Sequence, residues 1–146
     1  MSKNSFGSLG LQAGFCETIA KLGFENPTPI QSKSIPEILK GNDILGLAQT
    51  GTGKTAAFGL PLLQQIKKIK KGRADPKSPR SLILAPTREL AIQIHDELEK
   101  FSSKSKLYLA CIIGGVAQGA QVKKLYSGVD VVVAAPGGLL DLMNQG

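Results

Sequence analysis

Only two cysteines, Cys16 and Cys111, occur in the chain, and neither stands at a CxxC or Cys/His spacing. Their scarcity excludes a disulfide framework and a cysteine-built metal site, and predicts a reducing, cytoplasmic setting. Histidine occurs once, as His95, with no partner at ligand spacing, which makes it a surface or locally satisfied helix residue rather than a catalytic one. No apolar run approaches the length that spans a bilayer, and residues 1–9 hold no continuous apolar stretch of the kind a signal peptide needs. A soluble protein without a membrane partner is therefore expected. Acidic residues are a minority, 11 against 18 Lys and Arg, for a formal net charge of +7. Such an excess favours a polyanionic partner, because clustered cations release counterions from nucleic acid. Much of it is local, however: Lys67, Lys68, Lys70, Lys71, Arg73, Lys77 and Arg80 face only Asp75, and a solvated loop that keeps the protein soluble is the favoured reading of that run, since charge runs usually lie in loops.

At 146 residues and 42% hydrophobic content, the chain has the size of one ordinary globular domain. Leu11, Phe15, Ile19 and Leu22 make one helical stripe, closed by Gly23. Thr28 followed by Pro29 is a helix start, a capping hydroxyl before a ring that presets the first turn, and predicts a helix to Gly41 with Pro36 inside it. Residues 43–48 read as a short apolar strand, followed by a glycine-rich loop and a helix from about Gly53 towards Lys71 that Pro61 kinks or divides. Beyond a loop at 72–79, strands are expected at 81–85, 107–113 and 129–134. Helices are expected at 91–101 and 117–126, with a last one opening at 139–143. Strands alternating with helices predict an α/β fold with a parallel sheet and crossover helices on both faces.

Ala48-Gln49-Thr50-Gly51-Thr52-Gly53-Lys54-Thr55 follows the apolar run and opens a helix, the context a phosphate loop requires. Its glycines let successive backbone amides point at phosphate oxygens, and the helix N-terminus adds partial positive charge. Lys54 supplies a point charge for the β and γ phosphates, and Thr55 a hydroxyl ligand for Mg²⁺. The one departure is Ala48 in place of the first glycine, at a position where a methyl group is tolerable.

Read together with Gly23-Phe24-Glu25-Asn26-Pro27-Thr28-Pro29-Ile30-Gln31, this loop makes the chain closely resemble the DEAD-box ATP-dependent RNA helicases, from Phe6 to the last residues. The resemblance implies a RecA-like P-loop fold, incomplete at the C-terminus. It also implies ATP with Mg²⁺ as cofactor and RNA, single strand or short duplex, as a partner held by its backbone. Residues 1–40 would be the adenine-recognition segment and 41–146 the P-loop portion of the first motor domain. Gln31 would read the adenine edge, since a carboxamide matches its paired donor and acceptor; Phe6 would stack on the ring, with Phe24 beside the base. Without the family, Gln31 would be a solvent-facing helix residue and Phe6 core packing. Pro86-Thr87-Arg88-Glu89-Leu90 resembles the family's second nucleic-acid motif, where helix amides, the Thr87 hydroxyl and the Arg88 fork favour a phosphate; helix capping with a surface ion pair is the competing reading. Gly114-Gly115 resembles the glycine pair at which backbone approaches RNA, and alone is simply a turn.

Two departures from the family pattern follow. Where its next motif reads Thr-Pro-Gly-Arg, this chain has Ala135-Pro136-Gly137-Gly138, so Gly137 remains as a candidate contact while the phosphate-holding hydroxyl and guanidinium are missing. The loss of one charged contact weakens binding across sequences and flattens its salt dependence by about one charge. The Asp-Glu-Ala-Asp motif and a second motor domain do not occur within the 146 residues. Asp43 and Asp130 precede their apolar runs, and Asp141 falls in the final helix, so none replaces the Mg²⁺-organising acid of P-loop hydrolysis. Two functions are thus expected: the ATP-binding part of an ATP-dependent RNA helicase, with Lys54 and Thr55 as its catalytic residues, or a non-catalytic nucleotide-binding fragment. A P-loop small-molecule kinase is disfavoured, because nothing resembles an acceptor-substrate lid. An edge left unpaired by missing strands predicts a tendency to self-associate; oligomeric state is otherwise open.

Overall fold

The computed structural model describes residues 5–48, 53–69, 75, 78–115 and 118–144. The chain forms two compact units, one of Met1–Ile69 with Lys100–Ser105 and one of Lys70–Glu99 with Lys106–Gly146.

The first unit is helical. A 3-10 turn at Phe6–Leu9 leads through Gly10 into α1 (Ala13–Lys21), α2 (Pro29–Leu39) and α3 (Lys54–Ile69). Of the expected stripe, Phe15 and Ile19 are buried on α1 and Leu11 is buried just before it, whereas Leu22, at the C-cap where the chain leaves the helix, is exposed. Helix α2 starts at a complete capping box: the Thr28 hydroxyl accepts from the Gln31 amide while the Gln31 side chain accepts from the Thr28 amide. It continues through Pro36, and α3 runs undivided across Pro61. Leu60, Leu63 and Ile66 of α3 are buried with Ile35 of α2. At least 1.5 kcal/mol per such side chain is an order-of-magnitude value for that burial, about 1.5–3 kcal/mol each. Two glutamines fasten the package: Gln65 Nε2 donates to the Ile38 carbonyl at 2.6 Å, and buried Gln64 accepts from the Gln12 amide at 2.7 Å and donates to the Gly10 carbonyl at 3.0 Å.

Residues 43–48, expected as a strand, form none and carry no regular secondary structure, with Leu45 and Leu47 more than four-fifths exposed. A strand is defined by its neighbour, and no strand among the described residues pairs with this segment; Gly46 in its middle weakens the intrinsic preference further.

The second unit holds β1 (Ser81–Leu84), α4 (Arg88–Phe101, whose last two residues belong to the first unit), β2 (Leu109–Ile112), α5 (Gln118–Tyr126), β3 (Val131–Ala134) and α6 (Pro136–Asn144). All pairs are parallel and the order is β1-β3-β2, so the last strand is central, with Val131 opposite both Ser81 and Leu109. Parallel neighbours require crossover connections, which α4 and α5 provide. The central strand is buried at every residue, as its unbroken β-branched run predicts for a strand covered on both faces. Ala110, Ile112, Val132 and Ala134 form a cluster with Leu142 of α6, against which Val122 and Leu125 of α5 pack. On the opposite face lies Cys111, close enough to Asp96 of α4 to feel its charge.

Strand β1 has a partner on one side only among the described residues, and Leu82 and Leu84 are half-exposed on it. Such an edge templates pairing with another chain. Self-association in the micromolar range is expected, and the double substitution Leu82→Lys, Leu84→Lys should suppress it by placing charge on the edge; sedimentation velocity over a concentration series checks this. No helix among the described residues is long and apolar enough to cross a membrane.

Candidate functional site

Gln49, Thr50, Gly51 and Thr52 lie outside the described residues, and the structure takes up the phosphate loop at Gly53. Gly53 has φ +83°, the left-handed region that glycine enters without a Cβ penalty. Its carbonyl accepts the first helical bond of α3, from the Ala57 amide at 3.1 Å, and a second from Gln31 Nε2 at 3.2 Å. Helix α3 therefore begins at Lys54, whose side chain is exposed, and Thr55, which is half-buried. The first-turn amides of a helix have no intrahelical acceptor and carry partial positive charge, which suits an anion.

Gln31 is 1% exposed, so it is not the solvent-facing residue its composition class suggests. Its oxygen accepts from the Thr28 amide at 2.9 Å while its nitrogen reaches Gly53, so one carboxamide joins the start of α2 to the start of α3. A Cβ at Gly53 would overlap that Gln31 nitrogen and also sit 3.3 Å from the Thr28 hydroxyl. Gly53→Ala must displace the amide and hold a left-handed alanine, at a cost of about 1–3 kcal/mol. Chemical denaturation checks it; an unchanged midpoint would mean that the junction is not fixed as found.

Phe6 is buried, 4% exposed, with its ring edge-to-face on half-buried Phe24 at 6.3 Å between centroids. Phe24 in turn lies edge-to-face on Phe101 at 5.6 Å. The two aromatics nominated for the adenine are thus brought together, and as found they pack on each other.

In the second unit, three segments distant in sequence meet at one edge of the sheet. Because the strands are parallel, residues 85–88, 113–115 and 135–138 all follow C-terminal strand ends, the edge at which open α/β sheets place ligands. Thr87 caps α4, its hydroxyl accepting from the Leu90 amide at 3.2 Å, which is the capping role weighed against phosphate binding. Pro86, Thr87 and Arg88 are exposed. The Arg88 guanidinium lies over Gly115, where an added Cβ would stand 2.5 Å from Nη1, and Gly115 has φ +77°. Gly137 has open space around it, whereas Gly138 is buried against Ile113 and Gly114.

Asp130 was legible only as an acid at the start of an apolar run. It is fully buried, ion-paired to Arg80, and accepts the Tyr108 amide at 2.9 Å. Arg80, Tyr108 and Asp130 each stand immediately before the first residues of a strand, so this carboxylate ties the N-terminal ends of the three strands, the edge opposite the candidate contacts. No sequence signal marks that role, because its partners are 50 and 22 residues away.

The remaining reactive groups stand apart from phosphate chemistry. Burial pushes the thiols of Cys16 and Cys111 up, the second aided by the Asp96 charge, so neither is an activated nucleophile. His95, on α4, has its ring nitrogens 3.2 Å from Asp96 and 3.3 Å from Glu99, a local arrangement within one helix. Among the described residues no three His, Cys, Asp or Glu side chains converge as metal ligands. A groove of about 350 Å³ is bordered by Leu82, Val132, Val122, Tyr126, Leu139 and Met143, and no charged side chain lines it.

Residues 28–146 match the model of the DEAD/DEAH box helicase family. The chain is 45% identical over 97% of its length to DEAD-box ATP-dependent RNA helicase 20 of Arabidopsis thaliana, of which it covers 28%. It is 44% identical over 99% of its length to ATP-dependent RNA helicase DeaD of Escherichia coli, of which it covers 22%. Among solved structures it is similar to a DEAD box protein from Methanococcus jannaschii, with a TM-score of 0.85 at 39% identity over 98% of this chain and 38% of that one. A hypothetical ATP-dependent RNA helicase from Sulfolobus tokodaii gives a TM-score of 0.81 at 34% identity over 93% and 37%. The chain thus spans about a quarter of the length of the curated relatives it matches. With the family model covering the phosphate loop, both glycine-rich segments and the whole parallel sheet, the chain belongs to the DEAD/DEAH box helicase family.

Proposed function

We propose that this chain is the ATP-binding part of an ATP-dependent RNA helicase, gripping ATP at the start of α3 and RNA backbone at the C-terminal edge of the sheet. The observation that supports the reading is the Gln31–Gly53 bond, which ties the residue proposed to read adenine to the glycine that precedes Lys54. The names of the relatives, ATP-dependent RNA helicases at 44–45% identity, support the same activity. Lys54 would balance phosphate charge, Gly53 and residues 49–52 would offer amides, and Thr55 would hold Mg²⁺. The Thr55 hydroxyl, in the first turn of α3, is an oxygen donor of the kind that ion takes, and the ion would supply neutralisation of phosphate charge. Gln31 would have to release or share one of its two bonds to read adenine, and Phe6 to expose a face before it could stack. Pro86, Thr87, Arg88, Gly114, Gly115 and Gly137 would contact RNA through backbone and fork, which fixes position without reading sequence. A reducing cytoplasm suits the two free thiols.

A specific observation favours a second reading, nucleotide binding without turnover. Asp130, the acid that precedes the central strand, is committed to Arg80 at the far edge of the sheet. The deciding experiment is equilibrium binding of a fluorescent ATP analogue with Mg²⁺, competed by ATP and by GTP, followed by a phosphate-release assay with and without single-stranded RNA. Binding that ATP displaces far better than GTP supports the adenine site, and phosphate release then separates enzyme from fragment. Equal displacement by the two nucleotides would sink the assignment of Gln31.

A further inference from the structure

We propose that Gly138 is a positioning residue that seats the Gly114-Gly115 backbone for its contact with RNA, in place of the arginine the family carries at this point. The inference rests on the RNA-binding reading above. A Cβ built on Gly138 would lie 2.5 Å from the Ile113 carbonyl carbon, 2.6 Å from the Gly114 nitrogen and 2.9 Å from the Ile113 Cα. These are backbone atoms, so no rotamer change relieves the overlap; either the first turn of α6 or the 113–115 loop must move. Gly137, one residue earlier in the same helix, has nothing within 4 Å of the equivalent position. The crowding is therefore specific to position 138 and is not a property of the helix start.

The loop that Gly138 touches is held on two further sides. Gln121 Nε2 donates to the Ile113 carbonyl at 3.1 Å, from α5. The Arg88 guanidinium covers Gly115, which is itself in the left-handed region. Backbone of α6, amide of α5 and guanidinium at the start of α4 thus clasp three residues after β2. Only a residue without a side chain lets α6 complete the clasp. An arginine at 138 would bring a phosphate partner, but it could not coexist with this seating. The chain gives up one charged contact and gains a fixed presentation of the glycine pair, which suits a contact made by backbone rather than by side chain.

The test compares the full chain with Gly138→Ala, Gly138→Arg, Gly137→Ala and Gln121→Ala, by amide hydrogen exchange at residues 113–115 and by binding of a fluorescent oligouridylate across a salt series. Gly138→Ala and Gly138→Arg are expected to speed exchange at Gly114 and Gly115 and to weaken RNA binding, each by about tenfold, with no steeper salt dependence. Gln121→Ala, which loosens the loop without touching position 138, is expected to act in the same direction. This keeps the proposal testable should the Gly138 variants not fold. Gly137→Ala is expected to leave exchange unchanged and raise the Tm by about 2–5 °C through the glycine-to-alanine effect in a helix. The proposal is overturned if Gly138→Arg binds RNA more tightly with a salt slope steeper by about one charge while exchange stays unchanged, or if Gln121→Ala loosens the loop without affecting RNA. Absence of RNA binding by the unaltered chain would count against the functional reading, whereas unchanged exchange in the Gly138 variants would count against the seating itself.

Discussion

Replacing Asp130 with alanine is expected to remove about 3–5 kcal/mol of folding free energy, the range found when one partner of a buried ion pair is deleted. The side chain is wholly inaccessible and its two oxygens face different strands' approaches, the Arg80 guanidinium before β1 and the Tyr108 amide before β2. Deleting it leaves a largely buried guanidinium and the Tyr108 amide without that acceptor. Since a domain is typically stable by only about 5–15 kcal/mol, the variant should sit near the edge of unfolding. Urea denaturation checks this through the midpoint, with the slope unchanged if the folded and unfolded states keep their extent. Asp130→Asn should cost less, because an amide oxygen can still accept from Tyr108 while the charge pairing is lost. Added salt should do little to the unaltered chain, since a pair this buried is poorly screened. A loss below about 1 kcal/mol, the value of an exposed pair, would show that the three strand starts are not held in common.

Lys54→Ala is expected to weaken binding of the ATP analogue by about 10- to 100-fold, corresponding to a charge-assisted contact of about 1.5–3 kcal/mol, with little effect on folding. The contrast with Gln31 makes the prediction informative. Lys54 is exposed at the first residue of α3. Gln31 is buried and makes two bonds, so its replacement by alanine would disturb α2 and Gly53 together. Lost binding in a Gln31→Ala variant would thus mix adenine recognition with a structural defect, whereas Lys54→Ala isolates the phosphate term. Titration of both variants alongside thermal melts separates the two. Unchanged affinity in Lys54→Ala would remove the phosphate loop from the functional reading.

The helices were largely readable from local pattern. Thr28 and Pro29 mark the start of α2 because a cap is made by residues three apart, and the capping box forms as those residue types dictate. Of the stripe Leu11, Phe15, Ile19 and Leu22, the first three are buried for the same short-range reason, while Leu22 falls at the C-cap of α1 and is exposed. Prolines were the misleading signal: Pro61 lies inside an unbroken α3, because the lost helical bond is a local cost that burial of Leu60, Leu63 and Ile66 on either side outweighs. The compact unit that reaches residue 69 follows from how α3 packs on α2, through contacts between residues far apart in the chain.

The chain's own residues, taken in order, determined the phosphate-loop signature, the α/β class with its parallel strands, and the family, since each depends on spacings of a few residues or on alternation along the chain. Tertiary structure alone decided four things. Residues 43–48 stay outside the sheet, because a strand needs a neighbour to bond. Gln31 is buried on Gly53, because burial depends on what arrives from 22 residues away. Asp130 serves the strand starts rather than Mg²⁺, because its partners converge only when three parallel strands align their ends. Gly138 lies backbone to backbone on Ile113 and Gly114, because close approach is a matter of distance between elements. Propensity and periodicity act over one or two turns of chain, while pairing, burial and close approach are set by groups the chain brings back from far along its length.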